Sequence, residues 1–405
     1  MIYLDNAATT RTAPEVVEAM FPFFSENYGN ASSIYGLGST SKKALNHARR
    51  TLAEALGARQ EEIYFTAGGS EADNWALKAA AEAYGDRGKH IVTTRIEHHA
   101  VLHTCEYLEK QGYEVTYVGV DENGVVGLEE LEAAIRPDTI LISVMYANNE
   151  VGTLQPIREI GQIAHFTDPL NEIIPQLRLP FDLLRHNAHG PLYRFSKAHD
   201  AGNILRSRPA GTLLGTTVDK TAQLYTGADI QASHPLGTVY LVGAGAEHVN
   251  MQFVHPDGQL SEHLPEKIKR ETQLRDYLIE RICEKIPYCH LNGDRDRRLP
   301  GNVNFSFRFV EGESVLIMLD MKGICASSGS ACTSGALDPS HVLLAMGLSH
   351  ELAHGSLRMT LSEENTEEEM DTVVDALVEI IGKLRAMSPL YEDFIKSRTG
   401  EEHVQ

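Results

Sequence analysis

Cysteine is scarce in this chain. Its 405 residues hold five, Cys105, Cys283, Cys289, Cys325 and Cys332, at irregular spacings. That excludes the disulfide framework of a small secreted protein and fits a reducing cytoplasm. Cys325 and Cys332 do not have zinc-knuckle spacing and no second pair accompanies them, so no metal site is expected. Long apolar runs are missing as well, so no membrane span is expected. Met1-Ile2-Tyr3-Leu4-Asp5 has neither the basic nor the apolar region of a signal peptide, which makes the cytoplasm the expected location. Positive charge is in short supply: 36 Lys and Arg against 56 Asp and Glu leave a net −20. This excess argues against nucleic acid or an anionic membrane as partner, and any anionic ligand needs a local pocket of donors. There is no internal repeat and no low-complexity tract. With 42% hydrophobic and 23% charged residues, the chain reads as an ordinary globular protein. It is long enough for one large and one smaller domain.

The first 160 residues alternate between short β-rich runs and helical patterns. Strands are expected at 62–66, 90–94, 114–118 and 140–145, and helices at 41–56, 71–84, 99–111 and 128–135. Such alternation implies parallel strands with crossover helices. From about Glu266 a second unit follows, with a helix at 266–285, strands near 302–308 and 355–361, and an acidic amphipathic helix at 364–386. The expected architecture is therefore α/β. A parallel or mixed central sheet with flanking helices occupies 1–264, and a smaller α+β domain occupies 265–405.

Six segments carry residues suited to chemistry. The run Thr66-Ala67-Gly68-Gly69-Ser70-Glu71 opens a helix, and its bare N–H groups and hydroxyl suit a phosphate, although a plain tight turn has the same composition. His98, in Glu97-His98-His99, is placed to stack on a ring or move a proton; the bland alternative is a satisfied polar residue. Asn148-Asn149-Glu150 ends a strand at the carboxyl edge, where α/β sheets bind ligands. Asn6, in the polar segment 3–10, suits the mouth of a site and is a candidate substrate contact. Arg358, expected on a strand, suits a bidentate carboxylate clamp, although a structural salt bridge is the commoner fate. Finally, Cys332 lies in the small, polar run 325–341, a loop pattern that suits a nucleophile passing its cargo outward.

In this order and spacing these segments resemble the cysteine desulfurases, the NifS/IscS-like branch of the class-V, fold-type I pyridoxal-phosphate (PLP) enzymes. The resemblance covers about 1–164 and 266–388. It implies that Gly69 and Ser70 hold the cofactor phosphate, that His98 stacks on its ring, and that Asn149 contacts the phenolic oxygen. It further implies that Arg358 binds the carboxylate of L-cysteine. Cys332 would take the substrate's sulfur as a persulfide, leaving L-alanine. A homodimer is implied too, with an iron–sulfur scaffold or a tRNA-thiolating enzyme as sulfur acceptor.

Two of the family's requirements are absent. Neither the His-x-Asp-Ala-x-Gln pattern, whose Asp pairs with the pyridinium nitrogen, nor the Ser-x-His-Lys pattern, whose Lys anchors the cofactor as a Schiff base, is present. Between His165 and Lys267 the only lysines are Lys197 and Lys220, and neither follows a His. Seven prolines from Pro169 to Pro256 fall where buried strands belong, so a disrupted central segment is expected.

Reading about 166–261 backwards through reverse-complement codons recovers family motifs. Arg208 back to Ala201 permits Ala-Gly-Thr-Glu-Asn-Val-Pro-Gly. Lys220 back to Thr212 permits Phe-Val-His-Gly-Gly-Ala-Gln-Glu-Arg. Ala246 back to Leu241 permits Ser-Ala-Ser-Ala-His-Lys, the missing lysine motif. The segment thus reads as antisense translation of an inverted piece of a desulfurase gene, and the aspartate motif is not recovered. Three outcomes stand as expectations: a desulfurase by descent that is inactive as written, a non-catalytic remnant or assembly error, and a sibling such as a selenocysteine lyase. The Cys332 loop favours the desulfurase over its siblings.

Overall fold

The computed structural model describes residues 1–56, 59–166, 216–217, 240–243, 264–328 and 339–401. Three helices come first after the short strand β1 (Ile2–Tyr3): α1 (Pro14–Met20), α2 (Pro22–Ser25) and α3 (Gly36–Leu56). The alternating pattern then appears as α4 (Gly69–Tyr84), β2 (His90–Thr94), α5 (His99–Lys110), β3 (Glu114–Val118), α6 (Leu128–Ala134), β4 (Thr139–Ser143) and α7 (Ile157–Phe166). Two short strands, β5 (Thr216–Thr217) and β6 (Tyr240–Gly243), complete a sheet of order β3-β2-β4-β6-β5 in which every pairing is parallel.

Both faces of this sheet are covered. Val101, Cys105 and Leu108 of α5 join Leu77, Ala80 and Ala81 of α4 against Ile91 and Leu141. On the other face Leu131 and Ile160 pack on Val92 and Ile142. This two-sided cover is why β2 is buried at every position and reads as a continuous run rather than an alternation. The chain leaves β2 for β3 on one side and returns to β4 on the other. The carboxyl ends of β2 and β4 therefore flank a crevice at a topological switch point.

At the opposite end of β2, His90 is wedged between its neighbours. Its Nδ1 lies 2.7 Å from Thr139 Oγ1 and its Nε2 lies 2.8 Å from Thr116 Oγ1. Burial, followed by the Arg136 charge, holds its pKa below the ordinary 6.5. A base depressed in this way binds its proton more readily unfolded, so its contribution is full above about pH 6.5 and is lost as pH falls below that. Thermal midpoints between pH 8 and 5 should consequently fall more steeply for the parent chain than for His90→Gln.

The second unit contains α8 (Leu264–Lys285), β7 (Cys289–Leu291), β8 (Asn302–Phe307), α9 (Gly312–Asp320), β9 (Ile324–Cys325), α10 (His341–Ala345), α11 (His350–His354), β10 (Ser356–Thr360), α12 (Glu367–Ala386) and α13 (Pro389–Glu401). An antiparallel sheet β10-β8-β7 is covered by α8 and α12, whose Leu278, Ile282, Val373, Leu377 and Ile380 pack on Phe305 and Phe307. Thr366 starts α12 with a capping box: its hydroxyl accepts from Glu369 N–H, and Glu369 accepts from Thr366 N–H. The start of the chain belongs to this core. β1 pairs in parallel with β9, and Leu4 is fully buried among these residues.

Two sequence expectations need correction. Residues 62–66 form no strand: a 3₁₀ turn at Gln60–Glu62 leads into a backbone that pairs with no strand among the described residues. Tyr64 and Phe65 stay about half exposed, with Tyr64 edge-on to Trp75 and Arg49 over the Phe65 ring. β4 ends at Ser143 rather than 145 because Met145 N–H donates to the Glu97 carboxyl instead of to a neighbouring strand. Most of 166–261, expected to be disrupted, lies outside the described residues.

Candidate active site

The loops leaving β2 and β4 build one wall of the crevice. Glu97 and His98 follow β2. His98 is the N-cap of α5, and its Nδ1 accepts from Ala100 N–H at 3.1 Å, so the neutral ring carries its proton on Nε2. Glu97 is wholly buried. One of its oxygens, Oε1, accepts from Thr94 Oγ1 and Met145 N–H, both at 2.8 Å. The other, Oε2, has no partner among the described residues. Burial pushes its pKa up to about 8 against those two hydrogen bonds, so at neutral pH the carboxyl is mostly protonated.

The loop after β4 is tied by Asn148. Its Oδ1 accepts from Glu150 and Val151 N–H, and its Nδ2 donates to Ile96 O on the β2 side. Gly152 turns the chain at φ 79; a Cβ there would stand 2.7 Å from Asn302 Oδ1, so glycine is required. Asn149, buried, is thereby fixed between these ties.

Arg358 reaches this loop from β10. It is 3% exposed, donates from Nη1 to Asn149 O at 3.2 Å, and pairs through Nη2 with Asp5 at 3.2 Å. Its buried Nε has no partner among the described residues. Burial raises the Asp5 pKa despite the Arg358 charge. Asn6 donates its side-chain amide to Thr360 O and Ala7 N–H donates to Thr360 Oγ1, which ties these residues to the end of β10.

Gly69 and Ser70 start α4 after Gly68, which supplies no side-chain cap. The amino end of a sixteen-residue helix therefore offers N–H groups and positive dipole to an anion. Gly69 is buried and Ser70 exposed.

Cys332 lies outside the described residues, but both flanks of its segment are placed. Before it, Ser327 pairs with Arg358 through two backbone hydrogen bonds of 3.0 and 2.7 Å. After it, the Ser340 hydroxyl donates to Glu150 Oε2 while accepting from Leu343 N–H as N-cap of α10. Glu150 is buried and its pKa is pushed up to about 7, chiefly by desolvation. Ser340→Ala would strand that carboxyl and remove a cap, lowering unfolding free energy in urea by roughly 1–3 kcal/mol.

Asn149 and Arg358 are thus brought together with both flanks of the Cys332 segment, and His98 lies on the adjoining loop after β2. Sequence reasoning missed Asp5, Glu97, Glu150 and Ser340. Asp5, Glu97 and Glu150 each adjoined a residue singled out, and a carboxylate there was the available signal, whereas Ser340 lay in the Cys332 run with no signal of its own.

The family model of the class-V aminotransferases matches residues 2–170 and 237–373. A cysteine desulfurase IscS of Clostridium botulinum (strain Kyoto / Type A2) is 45% identical over 412 residues, covering 98% of both chains. Another, from Methanosarcina thermophila, is 47% identical over 403 residues, covering 96% of this chain and 94% of its own. Among solved structures, a NifS-like protein superposes with TM-score 0.67 at 28% identity, covering 94% of this chain and 99% of its own. A structure described as SspA in complex with cysteine has TM-score 0.58 at 26% identity, covering 90% of this chain and 100% of its own. The chain belongs to the class-V aminotransferase family, on its cysteine desulfurase branch.

Proposed function

We propose that this chain descends from a PLP-dependent enzyme that takes sulfur from L-cysteine, and that as written it does not complete that reaction. One observation carries the reading: Arg358 donates to Asn149 O at the carboxyl end of β4, between the two flanks of the Cys332 segment, while His98 caps α5 just past the carboxyl end of the neighbouring β2.

The residues fit part of the cofactor. The amino end of α4, with Gly69 and Ser70, suits its phosphate, and His98 and Asn149 suit its ring. PLP, when bound, supplies an electron sink for the substrate's carbon skeleton. Arg358 holds the L-cysteine carboxylate, its free Nε adding a donor, while Asn6 lines the entrance. Cys332 is the thiol that accepts sulfur, and its thiolate form is the reactive one. The reaction also needs a lysine and a pyridinium-pairing aspartate in their family patterns, and the sequence has neither.

Segment 166–261 read as inverted DNA accounts for the loss of the lysine motif, and loss of sequence at a breakpoint accounts for that of the aspartate motif. The family model leaves 171–236 unmatched, a stretch that falls within this interval. Reads spanning the codons of His165 and Glu266 should show two junctions joining opposite strands of one gene. Continuous forward homology across both junctions would end this explanation.

A homodimer is the proposed assembly. Val17, Phe21, Phe24, Ile34 and Tyr35 form an exposed apolar set ahead of and within α1–α3 that suits a second copy. The restored enzyme would work in the cytoplasm and pass sulfur to an iron–sulfur scaffold or a tRNA-thiolating enzyme. Among the described residues no helix is long and apolar enough to cross a membrane.

A further inference from the structure

Two cysteines take no part in the site above. Cys283 stands exposed on the last turn of α8, and Cys289, half-buried, opens β7 opposite Phe307. Between them the chain reverses sharply. Ile286 N–H still bonds back to Ile282 O, Pro287 follows, and Tyr288 takes a left-handed φ of 56°. That unusual conformation for a tyrosine is pinned from several sides. Tyr288 O accepts from Arg308 N–H at 3.1 Å and from Arg385 Nη2 at 3.2 Å, and Arg398 donates to the phenol at 3.1 Å. The turn so held joins the last turn of α8 to the first residue of β7 and keeps the Cys283 thiol near enough to act on the titration of Cys289.

We propose that Cys283 and Cys289 are a redox-active dithiol that a small-molecule disulfide converts to an intramolecular disulfide. In the first step Cys283, the exposed thiol, loses its proton and attacks one sulfur of the small disulfide. The S–S bond of the reagent breaks, one small thiolate leaves and takes up a proton, and a mixed disulfide remains on Cys283. In the second step Cys289 loses its proton and attacks Cys283 Sγ. The Cys283–Cys289 bond forms as the second small thiol departs. Each cysteine is oxidised by one electron, and the reagent is reduced by two to a pair of thiols.

The order of steps follows from the surroundings. Burial, and next the neighbouring Cys283 thiol, push the Cys289 pKa up to about 11, so Cys289 is a poor first attacker. Forming the mixed disulfide removes the second of those causes, while the Arg385 charge continues to favour the Cys289 thiolate. Cys105, fully buried with its pKa pushed up to about 12, is the internal control.

The test uses the full chain, oxidised glutathione as the small disulfide, alkylation of remaining thiols, and peptide mass mapping. It does not depend on cofactor binding, so its outcome stands apart from the proposed reaction. The linked Cys283 and Cys289 peptides should be lighter by two hydrogens, escape alkylation, and return to the dithiol form with dithiothreitol. Cys289→Ser should stop at a glutathione adduct on Cys283, and Cys283→Ser should leave Cys289 open to alkylation. A parent chain that keeps a stable adduct on Cys283 with Cys289 still alkylatable would overturn the proposal. So would unchanged alkylation of both thiols, or linkage of either to Cys325 or Cys332.

Discussion

Purified as written and supplied with PLP and L-cysteine, the chain will release no sulfide above a protein-free control. The expectation rests on missing functional groups rather than on the binding wall. Without the anchoring lysine the cofactor has no covalent tether at its reactive carbon. Without the paired aspartate its ring nitrogen is not held in the charged form that draws electrons. With the proposed roles, Arg358 would still hold a carboxylate and Asn149 and His98 a ring, so substrate binding without turnover is compatible with the proposal. Sulfide release accompanied by the visible absorbance of the lysine-bound cofactor would refute the expectation.

The second large effect belongs to a restored chain, in which 166–261 is reverse-complemented and the residues lost at the breakpoint are replaced. There Cys332→Ala should leave the cofactor spectrum and L-cysteine binding intact while abolishing sulfur transfer to the protein. The separation follows because the segment's flanks, Ser327 and Ser340, are held by Arg358 and Glu150, outside the helix terminus and ring wall assigned to the cofactor. In the same background Arg358→Ala should weaken L-cysteine binding by roughly 2–5 kcal/mol, as when one partner of a buried charge pair is truncated. Isothermal titration separates this loss of affinity from the loss of chemistry. Full sulfur transfer by Cys332→Ala would move the nucleophile assignment to Cys325, which is half-buried at the end of β9.

Much of the fold was legible because its periods are simple. The fully buried run at 90–94, the partly buried one at 114–118 and the helices at 99–111 and 364–386 appear within a few residues of their expected limits. The failures have tertiary causes. Tyr64 and Phe65 have strand propensity, but a ladder needs a neighbour, and the described residues provide none. Met145 has the right side chain for a strand, yet Glu97 takes its N–H. Within the site, His98, Asn149 and Arg358 were recognisable from their motifs. The groups holding them were less visible: Asp5 against Arg358, Glu150 against Ser340, and Glu97 across two strand ends. Their pairings span from 48 to 353 residues of sequence, and no local pattern encodes such distances.

The central claim is that the lysine was lost through inversion of the segment that encoded it. Borohydride reduction in the presence of PLP, followed by peptide mass mapping, tests this most directly when the chain as written and the restored chain are compared. The restored chain should carry a reduced pyridoxyl group on the lysine that the codon of Leu241 encodes on its opposite strand, and the chain as written should carry none at a single dominant site. Stoichiometric labelling of Lys197 or Lys220 in the chain as written, or an unlabelled restored chain, would contradict the account.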